Sequence, residues 1–327
     1  MADPVKLQSP SPRPGDGRAG GYYKYPVVRK PVWTWEVPVY FWLGGMAGGA
    51  YLTSSAAGLF GDEADRRATG AGFYVAAAAA LPCAPLLIAD LGRPDRFLHM
   101  LRIFKPLSPM NLGAWTLAGF TPMAVGRAIA QAGEQGRLPV PLSLLAGLIP
   151  RGLLDLGGTV FGLILAGYTG VLLAATNVPL WAKSKLLPAV FTASAVSSGA
   201  AAVTWAAERS APHKTLKKLE TLETVGTISE LGLIGGYVLQ SGRAAKPLLE
   251  GRYRLPFWGG AVAAGSILPL LLRAAARGRR SERRVGRIAA LLTILGSLAL
   301  RWSIFEAGKE SSEDQAASME MAKATQA

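Results

Sequence analysis

Residues 37–60 read VPVYFWLGGMAGGAYLTSSAAGLF, a run of 24 residues without a charged side chain. At about 1.5 Å of rise per residue, a helix of this length crosses the roughly 30 Å of hydrocarbon in a bilayer. Further long runs of this kind follow, and only 17% of the 327 residues are charged, against about 25% in a soluble domain. The sequence therefore predicts an all-α integral membrane protein, a bundle of about eight transmembrane helices. The predicted spans are residues 37–60, 68–89, 106–126, 156–182, 186–207, 222–240, 255–272 and 285–305.

Three regions follow from this pattern: a flexible N-terminal tail (1–33), the transmembrane domain (34–308) and a polar C-terminal tail (309–327). The N-terminal tail has no apolar core of the signal-peptide type, so we expect no cleaved signal. The short, proline-rich segment 138–150 is expected to lie at the membrane interface. An even number of spans puts both tails on one side, here called the first face. Arginines cluster after span seven on the opposite, second face, which favours a cytoplasmic second face and tails outside.

Composition limits the chemistry of the chain. In a membrane protein a net charge of +14 indicates basic loops beside anionic membrane lipid. No basic segment alternates with exposed aromatic residues, so we expect no nucleic-acid partner. Cys83 is the only cysteine, whereas an iron–sulfur cluster needs about four. His99 and His213 fall in loops on opposite faces, which excludes a haem with two histidine ligands within the chain. We predict no metal site, so any electrons must come from a partner.

Ionisable groups at membrane depth are costly and invite a functional hypothesis. Glu230 is the clearest case, in the middle of span six, and a protonated, hydrogen-bonded structural role is the alternative. Glu36 and Asp90 stand at span ends on the first face, where interfacial solvation is the simpler interpretation. Arg301 is expected to extend its side chain to the first face and to pair with Glu306. Four other carboxylates are interpreted as interfacial charges of the second face: Asp155, Glu208, Glu220 and Glu223.

The loop from Asp90 to Trp115 is the densest feature of the sequence. Its punctuation by glycine and proline predicts a fixed shape, although an ordinary basic interfacial loop is the alternative. Two overlapping pairs of glycines four residues apart in span one, Gly44 with Gly48 and Gly45 with Gly49, indicate close helix packing. Tyr168, inside span four, is expected to have a hydrogen-bond partner. Beside aromatic residues, the loop carries these basic and imidazole side chains: Arg93, Arg96, His99, Arg102 and Lys105.

At this loop the chain resembles the NrfD/PsrC family, the membrane-anchor subunits of polysulfide reductase-like complexes. Further segments agree with the family pattern. The segments are WEVPVYFWLGG (35–45), YTGV (168–171), TNVPLW (176–181) and RWSIFEAG (301–308). Together the matches extend from about residue 33 to 312. Some members have a histidine near the start of helix one, where this chain has Trp33-Thr34-Trp35-Glu36. This difference implies either that Glu36 takes over proton handling there or that the site is altered.

The resemblance implies a quinone or quinol site near the first face, with menaquinone or ubiquinone as ligand. It also implies a partner, a four-cluster ferredoxin-type iron–sulfur subunit, which usually connects to a molybdopterin or other catalytic subunit. The implied location is the bacterial cytoplasmic membrane. Candidate quinone-binding residues are Tyr168, Glu36, Tyr40, His99, Trp115 and Asn177. Candidates for proton transfer are Glu36, Asp90 and Glu230. Candidates for partner docking are Arg93, Arg96, Arg102 and Lys105.

Two other classes of function stay open. A proton-coupled transporter would also use acidic residues at depth and glycine-rich helices, although no internal repeat is evident. A purely structural anchor would share the fold without binding quinone. A copurifying ferredoxin-type subunit separates the transporter from the other two, and bound quinone separates the quinone site from the anchor. The substrate of the catalytic partner, the direction of electron flow and proton pumping are not encoded in any recognisable pattern.

Overall fold

The computed structural model describes residues 28–92, 95–139, 141, 147–148, 150–279, 281–314 and 316–320. In this part of the chain, eight helical segments of 21 to 30 residues run through the molecule and no strand occurs. They are α1 (Glu36–Phe60), α2 (Glu63–Asp90), α3 (Pro109–Glu134), α4 (Arg151–Ala174), α5 (Leu187–Ala207), α6 (His213–Ser241), α7 (Leu255–Ala276) and α8 (Glu282–Ser311). The predicted all-α bundle of about eight helices is confirmed.

Five of these segments, α2, α4, α5, α7 and α8, combine span length with an apolar stretch of 18 residues. The other three have the length, at 25, 26 and 29 residues, but contain more glycine, polar or charged side chains. A helix can be polar in part and still cross the bilayer if its polar side is turned toward neighbouring helices. The helix at the centre of the bundle, α5, is the most enclosed of the five, with 72% of its apolar stretch buried.

The centre of the bundle is formed by α1 and α5, which cross at glycines. A methyl group on Gly49 would overlap the carbonyl oxygen of Ala195, and one on Gly199 would overlap the backbone of Gly49. Gly48 meets the backbone of Gly162 in α4 in the same way. Small residues allow backbones to approach closely in this manner. The glycines of span one therefore act in helix packing, as interpreted from the sequence.

Two of the long segments are irregular. The turn at Leu81–Pro82 interrupts α2, because proline has no N–H to donate to the preceding turn. The first 13 residues of α7, Leu255–Ile267, form a π-helix, in which the hydroxyl of Ser266 donates to the carbonyl of Ala261 five residues earlier. In that stretch Gly265 packs directly against Gly296 of α8.

The prediction of one uninterrupted span over residues 156–182 is wrong. Helix α4 ends at Ala174, and Pro179–Ala182 forms a separate turn of helix. The hydroxyl of Thr176 donates to the carbonyl of Leu173, which satisfies one of the free carbonyls at the helix end. Asn177 lies in this connection and is exposed. Of the segment 138–150, residues 140, 142–146 and 149 lie outside the described residues, so its interfacial placement stays a prediction.

Helices α6 and α8 extend beyond the charge-free runs, and this changes the surroundings of their charges. Glu223 was interpreted as an interfacial charge, but it is 2% exposed. Its carboxylate accepts hydrogen bonds from Arg273 of α7 at 2.5 Å and from Thr293 of α8 at 2.8 Å. The interpretation was wrong because α6 begins at His213, which places Glu223 almost three turns inside the helix.

Both ends of the described chain pack on the bundle. Before α1, Lys30 pairs with Glu313 at 2.8 Å, and Lys309 of α8 donates to the carbonyl of Trp33 at 3.1 Å. After α8, Ala317 is buried in the main apolar cluster. Glu320 accepts a hydrogen bond from Lys183 at 2.7 Å, and this bond lowers the pKa of the Glu320 carboxyl. The first-face end of α8 is thus held by residues from both terminal segments.

Candidate functional site

A cavity opens between the ends of α1, α2, α3 and α4 that carry Glu36, Asp90, Pro109 and Ala174. We call it the first-face cavity. It encloses about 90 Å³, so a larger ligand would extend through its mouth. Its wall is apolar except for two tyrosines and one carboxylate. The lining residues are Trp33, Val37, Tyr40, Phe41, Leu87, Asp90, Leu91, Phe97, Met100, Met110, Gly113, Ala114, Tyr168 and Leu172.

Tyr40 contributes the most informative polar group of the cavity. Its side chain is 1% exposed, and its hydroxyl has no hydrogen-bond partner among the described residues. A buried hydroxyl without a partner costs about 1–3 kcal/mol, and such groups need an explanation. A ligand oxygen in the cavity would accept a hydrogen bond from Tyr40 and remove that cost.

Tyr168 faces the same cavity, but its hydroxyl is already committed. It donates to the carbonyl oxygen of Pro109 at 2.6 Å, and the ring packs on α3 where Gly113 leaves space for it. A tyrosine hydroxyl has one proton to donate and can still accept. Of the two tyrosines, Tyr40 is therefore the available donor, and Tyr168 is an acceptor that also fixes α3 against α4.

Asp90 and Glu36 are joined by a residue that the sequence reasoning did not consider. The backbone N–H of Thr34 donates to Asp90 Oδ1 at 2.9 Å, and the Thr34 hydroxyl lies 2.8 Å from the same oxygen. That hydroxyl also contacts Glu36 Oε2. One hydroxyl carries a single proton, so it can donate to one carboxylate while it accepts from the other carboxyl in its protonated form. The three groups therefore form a chain that can pass a proton. Asp90 lines the cavity, whereas Glu36 lies one step outside it.

An aromatic stack closes one side of the cavity. Trp33 stacks on Trp181 with ring centroids 5.9 Å apart, and Trp181 stacks on Phe305 at 5.7 Å. The indole N–H of Trp181 donates to the carbonyl of Ile304 at 2.9 Å. The indole of Trp33 can donate a hydrogen bond but has no acid–base function, so the acidic side chain of the cavity wall is that of Asp90.

The loop after α2 borders the mouth of the cavity through Phe97 and Met100, beside Met110 of α3. Asn111 fixes its shape, since its side-chain amide donates to the carbonyls of Met100 and Ile103 and its oxygen accepts from the N–H of Lys105. Residues 100–111 do have a defined shape, and the contacts that hold it are the hydrogen bonds of Asn111.

The remaining loop candidates lie outside the cavity wall. His99, Arg102 and Lys105 are exposed, and Trp115, 37% exposed, packs edge-on against Phe104. Asn177 also does not line the cavity. Arg93 lies outside the described residues, as does the side chain of Arg96. The structure thus brings together Tyr40, Tyr168 and Asp90, with Glu36 attached through Thr34.

Glu230 belongs to a different site. Its carboxylate accepts from the hydroxyl of Ser197 in α5 at 3.1 Å. Beside it, the guanidinium of Arg301 donates to Ser194 at 2.9 Å, to Ser297 at 2.6 Å and to the carbonyl of Phe191 at 3.2 Å. These residues form what we call the buried charge site. It is separated from the first-face cavity by the packed rings of Phe41 and Phe191.

Two expectations about Arg301 are wrong. Its side chain is 0% exposed rather than extended to the first face, and Glu306 contacts Lys309 and Tyr253 instead. The reason is length, because α8 continues ten residues beyond Arg301 to Ser311, about 15 Å of helix. Gly45 leaves the space for the guanidinium, since a methyl group there would overlap it. Among the described residues, no three histidine, cysteine or acidic side chains cluster as a metal site.

Comparisons with known proteins agree with this architecture. The family model described as "Polysulphide reductase, NrfD" matches residues 25–311. The C subunit of the polysulfide reductase of Wolinella succinogenes is 27% identical over 305 aligned residues, which cover 85% of this chain and 94% of the relative. The matched region begins before Thr34 and ends at the last residue of α8, so it includes the first-face cavity and the buried charge site.

Proposed function

This chain belongs to the polysulfide reductase NrfD family, and from that premise we propose that it is the quinone-reactive membrane subunit of a respiratory redox complex. Quinone or quinol binds in the first-face cavity and exchanges electrons with an iron–sulfur subunit docked on the same face. Proton uptake or release accompanies the reaction. The single observation that supports this most is the unpartnered hydroxyl of Tyr40 in an apolar cavity beside Asp90.

The polar groups of the cavity suit both redox forms of the ligand. A bound quinone supplies two-electron, two-proton chemistry. The Tyr40 hydroxyl can donate to a carbonyl of the quinone, and the Tyr168 oxygen, whose proton is held by Pro109, can accept from a hydroxyl of the quinol. The apolar side chains of Val37, Leu87 and Leu172 exclude water from the ring faces, which strengthens hydrogen bonds within the site.

Protons reach this site through the carboxylates. Asp90 lines the cavity and touches Thr34, and Thr34 touches Glu36. We assign Asp90 as the group that exchanges protons with the ligand and Glu36 as the group that exchanges them with water. General acid–base catalysis by a positioned carboxyl contributes roughly 10²–10⁴-fold to a rate. Glu230, which lies behind Phe41 and Phe191, is proposed for an internal role rather than for contact with the ligand.

Electrons arrive from outside the chain. The exposed side chains of Arg102 and Lys105 lie in the loop that borders the cavity mouth, and we propose that the iron–sulfur subunit docks there. Such a subunit would place a cluster near the ligand without any redox centre in this chain. A catalytic subunit, of molybdopterin type or another type, then completes the complex in the bacterial cytoplasmic membrane.

The test uses Tyr40→Phe and Asp90→Asn in the assembled complex. Tyr40→Phe removes one hydrogen bond and should raise the KM for quinone by up to about tenfold, with kcat little changed. Asp90→Asn keeps the shape but not the proton chemistry, so kcat should fall by roughly 10²-fold while KM changes little. Reduction of the clusters by the catalytic partner should be unchanged in both.

Tyr74→Phe is the matched control. Tyr74 bonds to Gln135 at the other end of the bundle, so its loss should leave quinone turnover unaffected. If Tyr40→Phe and Asp90→Asn both retain full quinone turnover, the chain is an anchor without a quinone site here. If no iron–sulfur subunit copurifies with the chain, the transporter class regains support.

A further inference from the structure

A second, larger cavity lies at the opposite end of the bundle. It is enclosed by the end of α1, the start of α2, the end of α3 and the start of α4, and it holds about 620 Å³. We call it the second-face cavity. Its volume falls within the roughly 300–1,000 Å³ of typical ligand pockets. The proposed quinone chemistry makes no use of it, because Asp90 and Glu36 stand at the other ends of the same helices.

Positive charge dominates the polar part of its wall. Four arginines line it, against two carboxylates, Glu134 and Asp155. Arg127 donates to Asp155 at 2.8 Å, and Arg151 lies 3.2 Å from Glu134. Among the described residues, Arg66 has no carboxylate within ion-pair distance, and Arg67 pairs only with the exposed Glu63. After internal pairing the wall therefore retains net positive charge.

A buried donor without a partner faces the same space. Ser55 lines the cavity and is 7% exposed, and its hydroxyl has no hydrogen-bond partner among the described residues. An unpaired buried hydroxyl is unfavourable unless something in the cavity accepts its proton. An oxyanion would satisfy this hydroxyl and the free arginine charge together, since arginine binds phosphate oxygens well.

An apolar wall continues from the charged part toward the outside of the bundle. Leu59 and Leu156 line the cavity and are 75% and 69% exposed. On a membrane protein such side chains face acyl chains rather than water. The ligand that matches both parts carries a phosphate at one end and hydrocarbon at the other. The excess of arginine favours an anionic headgroup over a zwitterionic one.

We propose that the second-face cavity binds one anionic phospholipid, with its phosphate held by Arg66 and Ser55 and its acyl chain against Leu59 and Leu156. A neutral quinone is a poorer match, because a ring carbonyl gives no compensation for an unpaired arginine. A soluble phosphate would satisfy the charges but would leave the apolar wall without a partner.

The test measures lipid affinity in the purified, delipidated complex. Phosphatidylglycerol and phosphatidylcholine with the same fluorescent acyl chain are titrated separately. The wild type should bind phosphatidylglycerol more tightly. Arg66→Gln and Ser55→Ala should each weaken that binding by about tenfold, the factor expected for one charge-assisted hydrogen bond. Arg209→Gln, an exposed arginine outside the cavity, should change nothing.

Gly58→Phe provides a test that removes no charge. Gly58 lines the cavity and a Cβ atom added there meets no atom within 4 Å, so a larger side chain can leave the backbone without a clash and its ring should occupy the cavity. Binding of phosphatidylglycerol should be lost. Equal affinity for both lipids, or unchanged affinity in Arg66→Gln and Gly58→Phe, would overturn the proposal. Displacement of the lipid by millimolar inorganic phosphate would also overturn it, in favour of a site for soluble anions.

Discussion

Arg301 is the residue on which the buried charge site depends. Its guanidinium is completely enclosed and is held by Ser194 and Phe191 of α5 and by Ser297 of its own helix. Glu230 lies on the neighbouring α6 and is bound to α5 through Ser197. Side chains of α5, α6 and α8 therefore meet at this site, and removal of the guanidinium would leave its buried hydrogen-bond partners unsatisfied.

Arg301→Ala should destabilise the subunit by roughly 3–5 kcal/mol, because the buried guanidinium donates to Ser194, Ser297 and the carbonyl of Phe191, and each buried partner left unsatisfied costs about 1–3 kcal/mol. The measurement is unfolding of the detergent-solubilised protein by denaturant. Glu230→Gln should cost less, since an amide can still accept from Ser197. Arg209→Ala, at an exposed arginine, is the control and should have no effect. Equal stability of Arg301→Ala and the control would contradict a structural role for this site.

Individual site residues were predictable only in part. Tyr168 and Asp90 were identified because they interrupt or end an apolar run, and both do line the first-face cavity. Tyr40 was a candidate through the family resemblance, but its unpartnered hydroxyl and the bridge that Thr34 forms between two carboxylates are properties of folded geometry that the sequence does not show. Arg301 was misread for a related reason. Its partners Ser194 and Phe191 are more than 100 residues away in the sequence, and no sequence pattern near Arg301 predicts these contacts.

Among the helices, the close crossing of α1 and α5 limits the size of the side chains that can be accommodated at Gly49. Gly49→Ala should destabilise the protein by roughly 1–3 kcal/mol, as overpacking of a tight contact does, because the methyl group would overlap the Ala195 carbonyl. Gly58→Ala is the matched control in the same helix, where a methyl group meets no atom within 4 Å. There alanine should be neutral or slightly stabilising, given its higher helix propensity. Thermal unfolding of both variants decides the matter.

If Gly49→Ala unfolds at the same temperature as Gly58→Ala, the prediction is contradicted, because α1 and α5 would then be able to move apart at this crossing without loss of stability. The same two variants also test the first-face cavity and the buried charge site. Helix α1 carries Tyr40 of the first-face cavity and, through Gly45, supports Arg301. A shift of α1 against α5 would disturb both, so Gly49→Ala should also lower quinone turnover, whereas Gly58→Ala should not.

The elements themselves were largely predictable, and their ends were not. Charge-free runs find the part of each helix that faces lipid or core. They underestimate α3, α6 and α8, whose outer turns carry charges that pair with neighbouring helices, such as Arg127 of α3 with Asp155 of α4. They overestimate α4, since the connection at residues 175–178 is uncharged and the charge-free run therefore continues past the end of the helix. The irregular backbone of α7 also has no counterpart in the hydrophobic pattern.

For the molecule as a whole, two cavities lie at opposite ends of the bundle. The first face presents the small cavity with Tyr40 and Asp90 beneath a basic loop, and the second face presents the arginine-lined cavity. The all-helical membrane fold and the family followed from composition and motifs, because the bilayer permits few architectures. The second-face cavity could not be predicted in this way, because its arginines come from three different helices, α2, α3 and α4.

Docking of an iron–sulfur subunit on the first face predicts a charge effect confined to that end. Arg102→Glu with Lys105→Glu should weaken association of the purified subunits by roughly tenfold at low salt, and less at high salt, where charges are screened. The control is Arg209→Glu with Arg279→Glu, two exposed arginines at the other end. If both pairs weaken association equally, the effect is one of net charge and the first-face loop is not the docking surface.

The most direct test of the quinone proposal is to map a photoreactive quinone on the assembled complex by mass spectrometry. We expect labelling in residues 33–41 and 168–172, which include Tyr40 and Tyr168 of the first-face cavity. Unlabelled quinone should compete for this labelling, and Tyr40→Phe should weaken it by up to about tenfold. Labelling that competes equally well but falls on α6 near Glu230, or on the residues of the second-face cavity, would contradict the account.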